Sequence, residues 1–335
     1  MLTVVAVPKS IFAGCFDPSD VKRLQSKVKL LPENPFDDLP EEVTGEWLAE
    51  RIAPAEVLIT GWETPPLTEE ILDRAKALRA IVHSAGSIKL LVPPSVFERG
   101  IAVTNVRHAL AVGVAESTLA MIIASAKMFV PLDRVIEKGQ WRGSSWHEWV
   151  LEPYQITVGI IGAGEVGKHL LSLLKMFEVR KVIYDPYVGE DVVESLGAEK
   201  LGLDELCSAS DVIAICAPAT EETYHLIGRK QFGLMKERVR LINTARGSII
   251  DQEALIGELS KGKMYAFLDV TDPEPPAEDS PLRSSPYCTL TPHLAGHYSN
   301  GQKRQGRLVV EEILGFLDEG RFKWQVTAES FSRQA

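Results

Sequence analysis

The chain has 335 residues, too many for one hydrophobic core of ordinary size, so two domains are expected. Its 45% hydrophobic and 24% charged residues are the balance of a soluble globular protein. A formal net charge of -10 with no basic stripe argues against a nucleic-acid or anionic-membrane surface, because both need local positive potential.

The first stretch, MLTVVAVPKSIF, is interrupted by Pro8 and Lys9. It lacks the basic start and long apolar core of a signal peptide and reads as a strand. No uninterrupted apolar run reaches the roughly 18 residues of a membrane span. Cys15, Cys207, Cys216 and Cys288 show no CxxC or other metal spacing, so no metal site is expected. Scattered thiols fit a reducing compartment, and cytoplasmic localisation is the expectation.

Strands are predicted over residues 3–7, 28–31, 56–60, 79–83 and 101–104. Between them, LTEEILDRAKAL (67–78) reads as a helix with Thr68 as N-cap and Glu70 in its first turn. GVAESTLAMIIASAKMF (113–129) is apolar almost all round, so a buried helix is expected, crossing from one domain to the other. Residues 131–155 break the pattern and carry Trp141, Trp146 and Trp149. So many large aromatics in one loop point to an interface. A second series follows, with strands predicted over 156–161, 181–184, 212–216, 240–243, 265–270 and 287–291. In the tail, Val309, Ile313, Leu314 and Leu317 have helical spacing, and that helix could pack on either domain. Apolar strands alternating with helices predict α/β architecture, two doubly wound parallel-sheet domains covered on both faces.

The stretch ITVGIIGAGEVGKHLL (156–171) places a GxGxxG turn between a strand and a helix. Alone the pattern is weak; in this context each glycine has a task. Gly162 permits the tight turn, Gly164 lets the backbone approach a pyrophosphate, and Gly167 lets helix and strand pack closely. The helix N-terminus offers N–H groups to phosphates. About 20 residues on, the next strand ends in Asp185, spaced to bind ribose hydroxyls and repel a 2′-phosphate, which favours NAD over NADP. Asp185 could also be a turn former before Pro186.

Three further residues follow apolar strands: Arg246 in LINTARGSIID, Glu274 in FLDVTDPEPP and His293 in TPHLAGH. Taken singly, each reads as a surface charge or a structural histidine. Together they suit hydride transfer at a carbon bearing oxygen. Nicotinamide exchanges the hydride, and histidine is the side chain suited to exchange the alcohol proton. A neighbouring carboxylate stabilises imidazolium, and arginine clamps a carboxylate.

With these motifs in order, the chain resembles the D-isomer-specific 2-hydroxyacid dehydrogenases. VGIIGAGEVG, INTARGSIID, LDVTDPEPP and TPHLAG carry the resemblance, supported by SAGS (84–87), TNVRHALAVGVAE (104–116) and ICAPATEET (215–223). It implies a discontinuous, flavodoxin-like substrate domain, 1–106 plus 296–335, and an inserted Rossmann NAD domain, 107–295. Residues 131–155 would be a dimerisation arm, giving a homodimer.

The resemblance also implies that Arg246 orients a 2-oxo acid and that His293 is the general acid/base paired with Glu274. Backbone N–H groups of Ser84, Ala85, Gly86 and Ser87 would hold the substrate carboxylate. Glu165 and Val166 would present amides to the pyrophosphate. Ala217, Pro218, Thr223 and Thr244 would line the cofactor, and Asp269 would receive the nicotinamide carboxamide.

His83 and Gly61–Trp62 stand where phosphoglycerate-specific members place arginines, which disfavours a phosphorylated substrate. Lys89 and Cys216 replace the family's usual Asp and His. Trp62, His83, Arg107 and His108 are candidates for an unfamiliar substrate pocket, with packing and surface charge as the alternative. The expected partner is a small 2-oxo or 2-hydroxy acid. An NAD(H)-sensing corepressor of the same fold is the competing function.

Overall fold

A computed structural model describes residues 1–141, 145–296 and 299–332. The chain divides into two compact units, Met1–Leu110 with His297–Ala335, and Ala111–Gly296.

The first unit is built on a six-stranded sheet. Its strands are β1 (Leu2–Ala6), β2 (Lys29–Leu31), β3 (Val57–Thr60), β4 (Ala80–His83) and β5 (Ala102–Asn105), joined by β13 (Gln325–Val326) from the C-terminal segment. Their order is β13-β5-β4-β3-β1-β2, parallel except for β13, which runs antiparallel to β5. The five parallel strands have the 2-1-3-4-5 order of flavodoxin-like folds. Alternate side chains enter separate cores, as a period of two requires. Val4, Ala6, Leu58 and Ile81 pack in one cluster, and Val5, Val7, Ile59 and Val82 in another.

The second core settles where the tail goes. The helix Lys303–Glu319 buries Val309, Val310, Ile313 and Phe316 beside Val5, Ile59 and Val82. Leu314 and Leu317 are only partly buried at its edge. Gly306 makes the close approach possible: a Cβ there would lie 2.3 Å from the Cys15 carbonyl oxygen and 2.8 Å from Phe16 Cα.

The second unit carries a seven-stranded parallel sheet of β6 (Tyr154–Ile161), β7 (Glu178–Tyr184), β8 (Glu199–Lys200), β9 (Val212–Ile215), β10 (Val239–Asn243), β11 (Met264–Leu268) and β12 (Cys288–Leu290). The order β12-β11-β10-β9-β6-β7-β8 is that of a Rossmann sheet with one strand added. Strands β8 and β13, two residues each, escape the sequence reading because periodicity cannot register in two residues. Three predicted strands end early. Cys216, Asp269–Val270 and Thr291 lie just past the strand ends, in the loops at the strand C-termini.

The predicted helix at 67–78 is shorter, Glu69–Arg74, with the Thr68 hydroxyl accepting from the Ile71 N–H at 3.3 Å. It stops at Ala75, whose ψ of 53° is not helical. The apolar run at 113–129 belongs to the helix Arg107–Ala126, whose length and composition would suit a membrane crossing. Its Ala115, Met121 and Ile122 instead pack with Val158, Ile160 and Leu170, so it serves as a core helix.

In the tryptophan-bearing segment, Trp149 is buried and Trp146 packs on Tyr287. The fully buried Arg240 donates to the carbonyls of Ser125 (3.1 Å), Arg238 and Trp149. Burial lowers its pKa to about 10. Trp141 stays 80% exposed, so this part of the segment adds nothing to its own core. Residues 142–144 of the arm lie outside the described residues.

His83, at the end of β4, is 5% exposed, with Nδ1 3.0 Å from Thr60 Oγ1. Burial lowers its pKa to about 4, against a weaker opposing hydrogen bond with the Ser87 backbone. The neutral ring is therefore the folded form. Its stability contribution is complete above the unfolded histidine pKa near 6.5 and is lost as pH falls towards 4. Across that window urea unfolding should show a loss on the order of 3 kcal/mol attributable to this ring. The loss should be absent from His83→Gln; identical acid limbs for the two proteins would refute it. Separately, Gly306→Ala should lower stability by about 1–3 kcal/mol through overpacking, read as a lower urea midpoint at unchanged slope.

Candidate active site

The glycine turn follows β6, with Gly162 at φ +102°. A Cβ on Gly162 would lie 2.7 Å from the Ala217 nitrogen, so only glycine lets this turn meet the loop after β9. A Cβ on Gly167 would stand 2.2 Å from the Gly162 carbonyl oxygen, so that residue closes helix onto strand. Gly164 is different: a Cβ there meets nothing within 4 Å. Its bare backbone faces open space at the N-cap of the helix Glu165–Leu173, and no side chain caps it. First-turn amides lack helical acceptors, so those of Glu165 and Val166 suit an anion.

Asp185, just after β7, accepts from the Ala163 N–H at 2.8 Å through Oδ2. Its Oδ1 accepts from the N–H groups of Tyr187 (2.9 Å) and Val188 (3.2 Å). Asp185 is thus a turn former, as one reading of the sequence allowed, and also ties the glycine turn to β7. A carboxylate has about four acceptor sites, so three bonds leave room for a ribose hydroxyl. The turn and Asp185 fit a dinucleotide: an uncapped helix start, an open glycine face and a carboxylate with spare capacity.

The loop after β9 holds Ala217 and Pro218, and the Thr223 hydroxyl closes it by donating to the Pro218 carbonyl at 2.7 Å. Tyr187 donates its phenol proton to the Glu222 carboxylate, linking this loop to the one after β7. Thr244, after β10, is buried with its hydroxyl 2.7 Å from that of Thr118. Burial pushes the Cys216 thiol up to about 12, so it is a poor nucleophile at neutral pH.

Arg246, Glu274 and His293 follow β10, β11 and β12, which are neighbours in the sheet. Arg246 is exposed, with Nη1 donating to the Ala245 carbonyl at 2.8 Å. The buried Asn243 fixes its loop through Nδ2 to the Arg246 carbonyl (2.9 Å) and Oδ1 to the Ala245 N–H (3.0 Å). A Cβ on Gly247 would lie 2.1 Å from the Thr271 carbonyl, so this loop rests directly on the next.

His293 Nδ1 lies 2.7 Å from Glu274 Oε1. The two side chains are 45% and 42% exposed, which leaves them open to a small molecule.

The histidine backbone has φ +54°, in the left-handed region. The Asp269 carbonyl accepts the His293 N–H at 2.9 Å. The Asp269 carboxylate, 2% exposed, accepts from Thr291 Oγ1 (2.5 Å) and from the N–H groups of Leu294 and Ala295 (both 2.9 Å). In this structure Asp269 shapes the histidine loop, a task the sequence did not reveal. Ser117 completes the grip by donating to the Ala295 carbonyl at 2.9 Å, and no motif marks it.

In the other unit, the loop 84–87 corrects part of the sequence reading. The Ser84 N–H donates to the Thr60 carbonyl at 2.7 Å, so it continues the β3–β4 ladder and cannot also hold a substrate carboxylate. The amides of Ala85, Gly86 and Ser87 donate to no acceptor among the described residues. The Ser84 hydroxyl is buried without a partner. His83 is buried at the end of β4. Trp62 packs partly into the core, His108 stacks on Trp324 at 3.6 Å, and Arg107 is exposed.

Residues 119–295 match the family model described as D-isomer specific 2-hydroxyacid dehydrogenase, NAD binding domain. A glyoxylate reductase of Korarchaeum cryptofilum is 33% identical over 273 residues, 80% of this chain and 82% of that one. A D-3-phosphoglycerate dehydrogenase of Methanocaldococcus jannaschii is 33% identical over 291 residues, 86% of this chain but only 55% of that longer protein. Among solved structures, a phosphoglycerate oxidoreductase from Rhizobium etli superposes with a TM-score of 0.79 at 27% identity, covering 96% of this chain and 95% of that one. With the NAD-binding domain matched along its length and the similarity extending over both units, the chain belongs to the D-isomer-specific 2-hydroxyacid dehydrogenase family.

Proposed function

We propose that the protein is an NAD(H)-dependent oxidoreductase that interconverts a small D-2-hydroxy acid and its 2-oxo acid. One observation carries the reading: the 2.7 Å His293–Glu274 pair, open to solvent, in the unit that also holds the glycine turn and Asp185. When bound, the nicotinamide supplies or accepts the hydride.

The chain's own residues do the rest. Glu274 holds Nδ1 of His293, which leaves Nε2 to give a proton to the substrate oxygen in reduction and to take it in oxidation. The fixed loop geometry keeps that nitrogen in place between turnovers. Arg246 presents a permanent cation to the substrate carboxylate and carbonyl. In the other unit, the amides of Ala85, Gly86 and Ser87 suit a carboxylate. Gly164, Glu165 and Val166 offer backbone to the pyrophosphate, and Asp185 takes the ribose. Because Asp185 is anionic, a 2′-phosphate is repelled and NAD is preferred over NADP. The exposed face of the 131–155 segment, including Trp141, supports a homodimer.

Substrate chemistry follows from what the first unit offers. His83, at a position where a phosphate-binding arginine would have to stand, is buried and uncharged at neutral pH. This favours an unphosphorylated acid such as glyoxylate or hydroxypyruvate over phosphohydroxypyruvate.

Oxidation of NADH by a panel of these acids tests the activity; a sensor of the same fold would bind NADH without turning it over. His293→Ala should lower kcat by about 10²–10⁴-fold with the NADH Kd unchanged, and near-normal kcat would remove His293 from the mechanism. Glu274→Gln should cost about tenfold in kcat through loss of one charge-assisted bond. For the cofactor, Asp185→Ser should raise the NADH Kd about tenfold and narrow the NADH:NADPH preference in fluorescence titrations. A preference ratio equal to that of the parent protein would count against Asp185 as its source.

A further inference from the structure

The substrate-side loop follows β4 directly, and its backbone groups differ in what they bond to. Some are engaged within the first unit. The Ser84 N–H goes to the Thr60 carbonyl (2.7 Å), and the Ala85 carbonyl accepts from the Val106 N–H (3.1 Å). The Ser87 backbone is hydrogen-bonded to the His83 ring. The amides of Ala85, Gly86 and Ser87 bond to nothing among the described residues. The Ala85 carbonyl, tied inward, shares its peptide group with the Gly86 N–H, which therefore points the other way, and successive N–H groups without acceptors form an anion-binding concavity.

The His83 side chain spans this arrangement. It lies on β4, 5% exposed. Its Nδ1 is 3.0 Å from the Thr60 hydroxyl on the neighbouring strand β3, and the ring also reaches four residues ahead to the Ser87 backbone. A single neutral imidazole can serve both contacts, accepting at one nitrogen and donating at the other. Thr60 is itself buried and in register with His83 across the β3–β4 ladder, so the anchor is rigid.

We infer that His83 is a positioning residue: by bridging Thr60 to the Ser87 backbone, it holds the 84–87 loop in the shape that presents the amides of Gly86 and Ser87 to the carboxylate of the 2-oxo acid. It touches neither substrate nor cofactor. This rests on the proposed activity for its kinetic readout only, because carboxylate binding can be measured without turnover.

The experiment uses the full-length chain with His83→Ala, His83→Gln and Thr60→Val. NADH affinity is followed by fluorescence, glyoxylate kinetics by NADH absorbance, and oxalate binding to the NADH complex by calorimetry. His83→Ala should raise the KM for glyoxylate and the Kd for oxalate at least tenfold, with the NADH Kd within twofold of the parent and kcat at saturation within threefold. His83→Gln, whose amide can both donate and accept, should recover most of the loss. Thr60→Val, which keeps the packing and removes one anchor, should fall between them, and it answers the question if His83→Ala does not fold. Unchanged KM and oxalate affinity in both His83→Ala and Thr60→Val would overturn the assignment. So would losses shared equally by NADH and oxalate, which report general loosening. If the parent protein turns over no 2-oxo acid, the proposed activity fails. The oxalate titration then still decides the role of His83: a tenfold loss upholds it, and absence of oxalate binding by the parent protein overturns it.

Discussion

Parallel pairing is the constraint on which this molecule depends. A parallel neighbour can be reached only by a crossover, so every strand of the Ala111–Gly296 sheet ends at one edge. That edge gathers groups far apart in the chain. The glycine turn follows β6, Asp185 follows β7, and Arg246, Glu274 and His293 follow β10, β11 and β12. No short-range motif could bring five such groups together. The strands need only be apolar and short, and the loops at their ends are left to carry chemistry.

Within those loops, buried polar groups set the precision. Asp269 collects three donors from residues 291–295 in a site that is almost closed to water, and that is where hydrogen bonds are strongest. This grip, with Ser117 on the Ala295 carbonyl, holds His293 at a left-handed φ that a histidine adopts uncommonly. Asn243 does the equivalent for Arg246. His83 does it in the other unit, where a ring that stays neutral can be buried without an ion partner. In each case a buried polar group fixes a loop that carries a more exposed one.

How much of this could be read from the chain varies by feature. The glycine turn was legible because each glycine answers a local steric demand that sequence spacing records. The histidine–glutamate pair was legible through its family motifs. Ser84 was only half legible. Its place in the loop was foreseeable, whereas the engagement of its amide by Thr60 depends on the register between β3 and β4. Asp269 was assigned a cofactor contact by resemblance, and its grip on the 291–295 loop appears only once β11 and β12 are paired. The two-residue strands β8 and β13 carry no readable pattern at all.

The sequence by itself determined the α/β class, the order of the strands along the chain, the dinucleotide turn and the loops that carry Arg246, Glu274 and His293. Each of these is written in local periodicity or in spacing within one loop. Only the tertiary structure decided that the C-terminal helix packs in the first unit, that His83 is buried against Thr60, and that Asp269 and Ser117 hold the histidine loop. Those outcomes are contacts between residues from four to about three hundred positions apart. They depend on which strands become neighbours and on which groups lose water, and neither quantity is carried by any one stretch of chain.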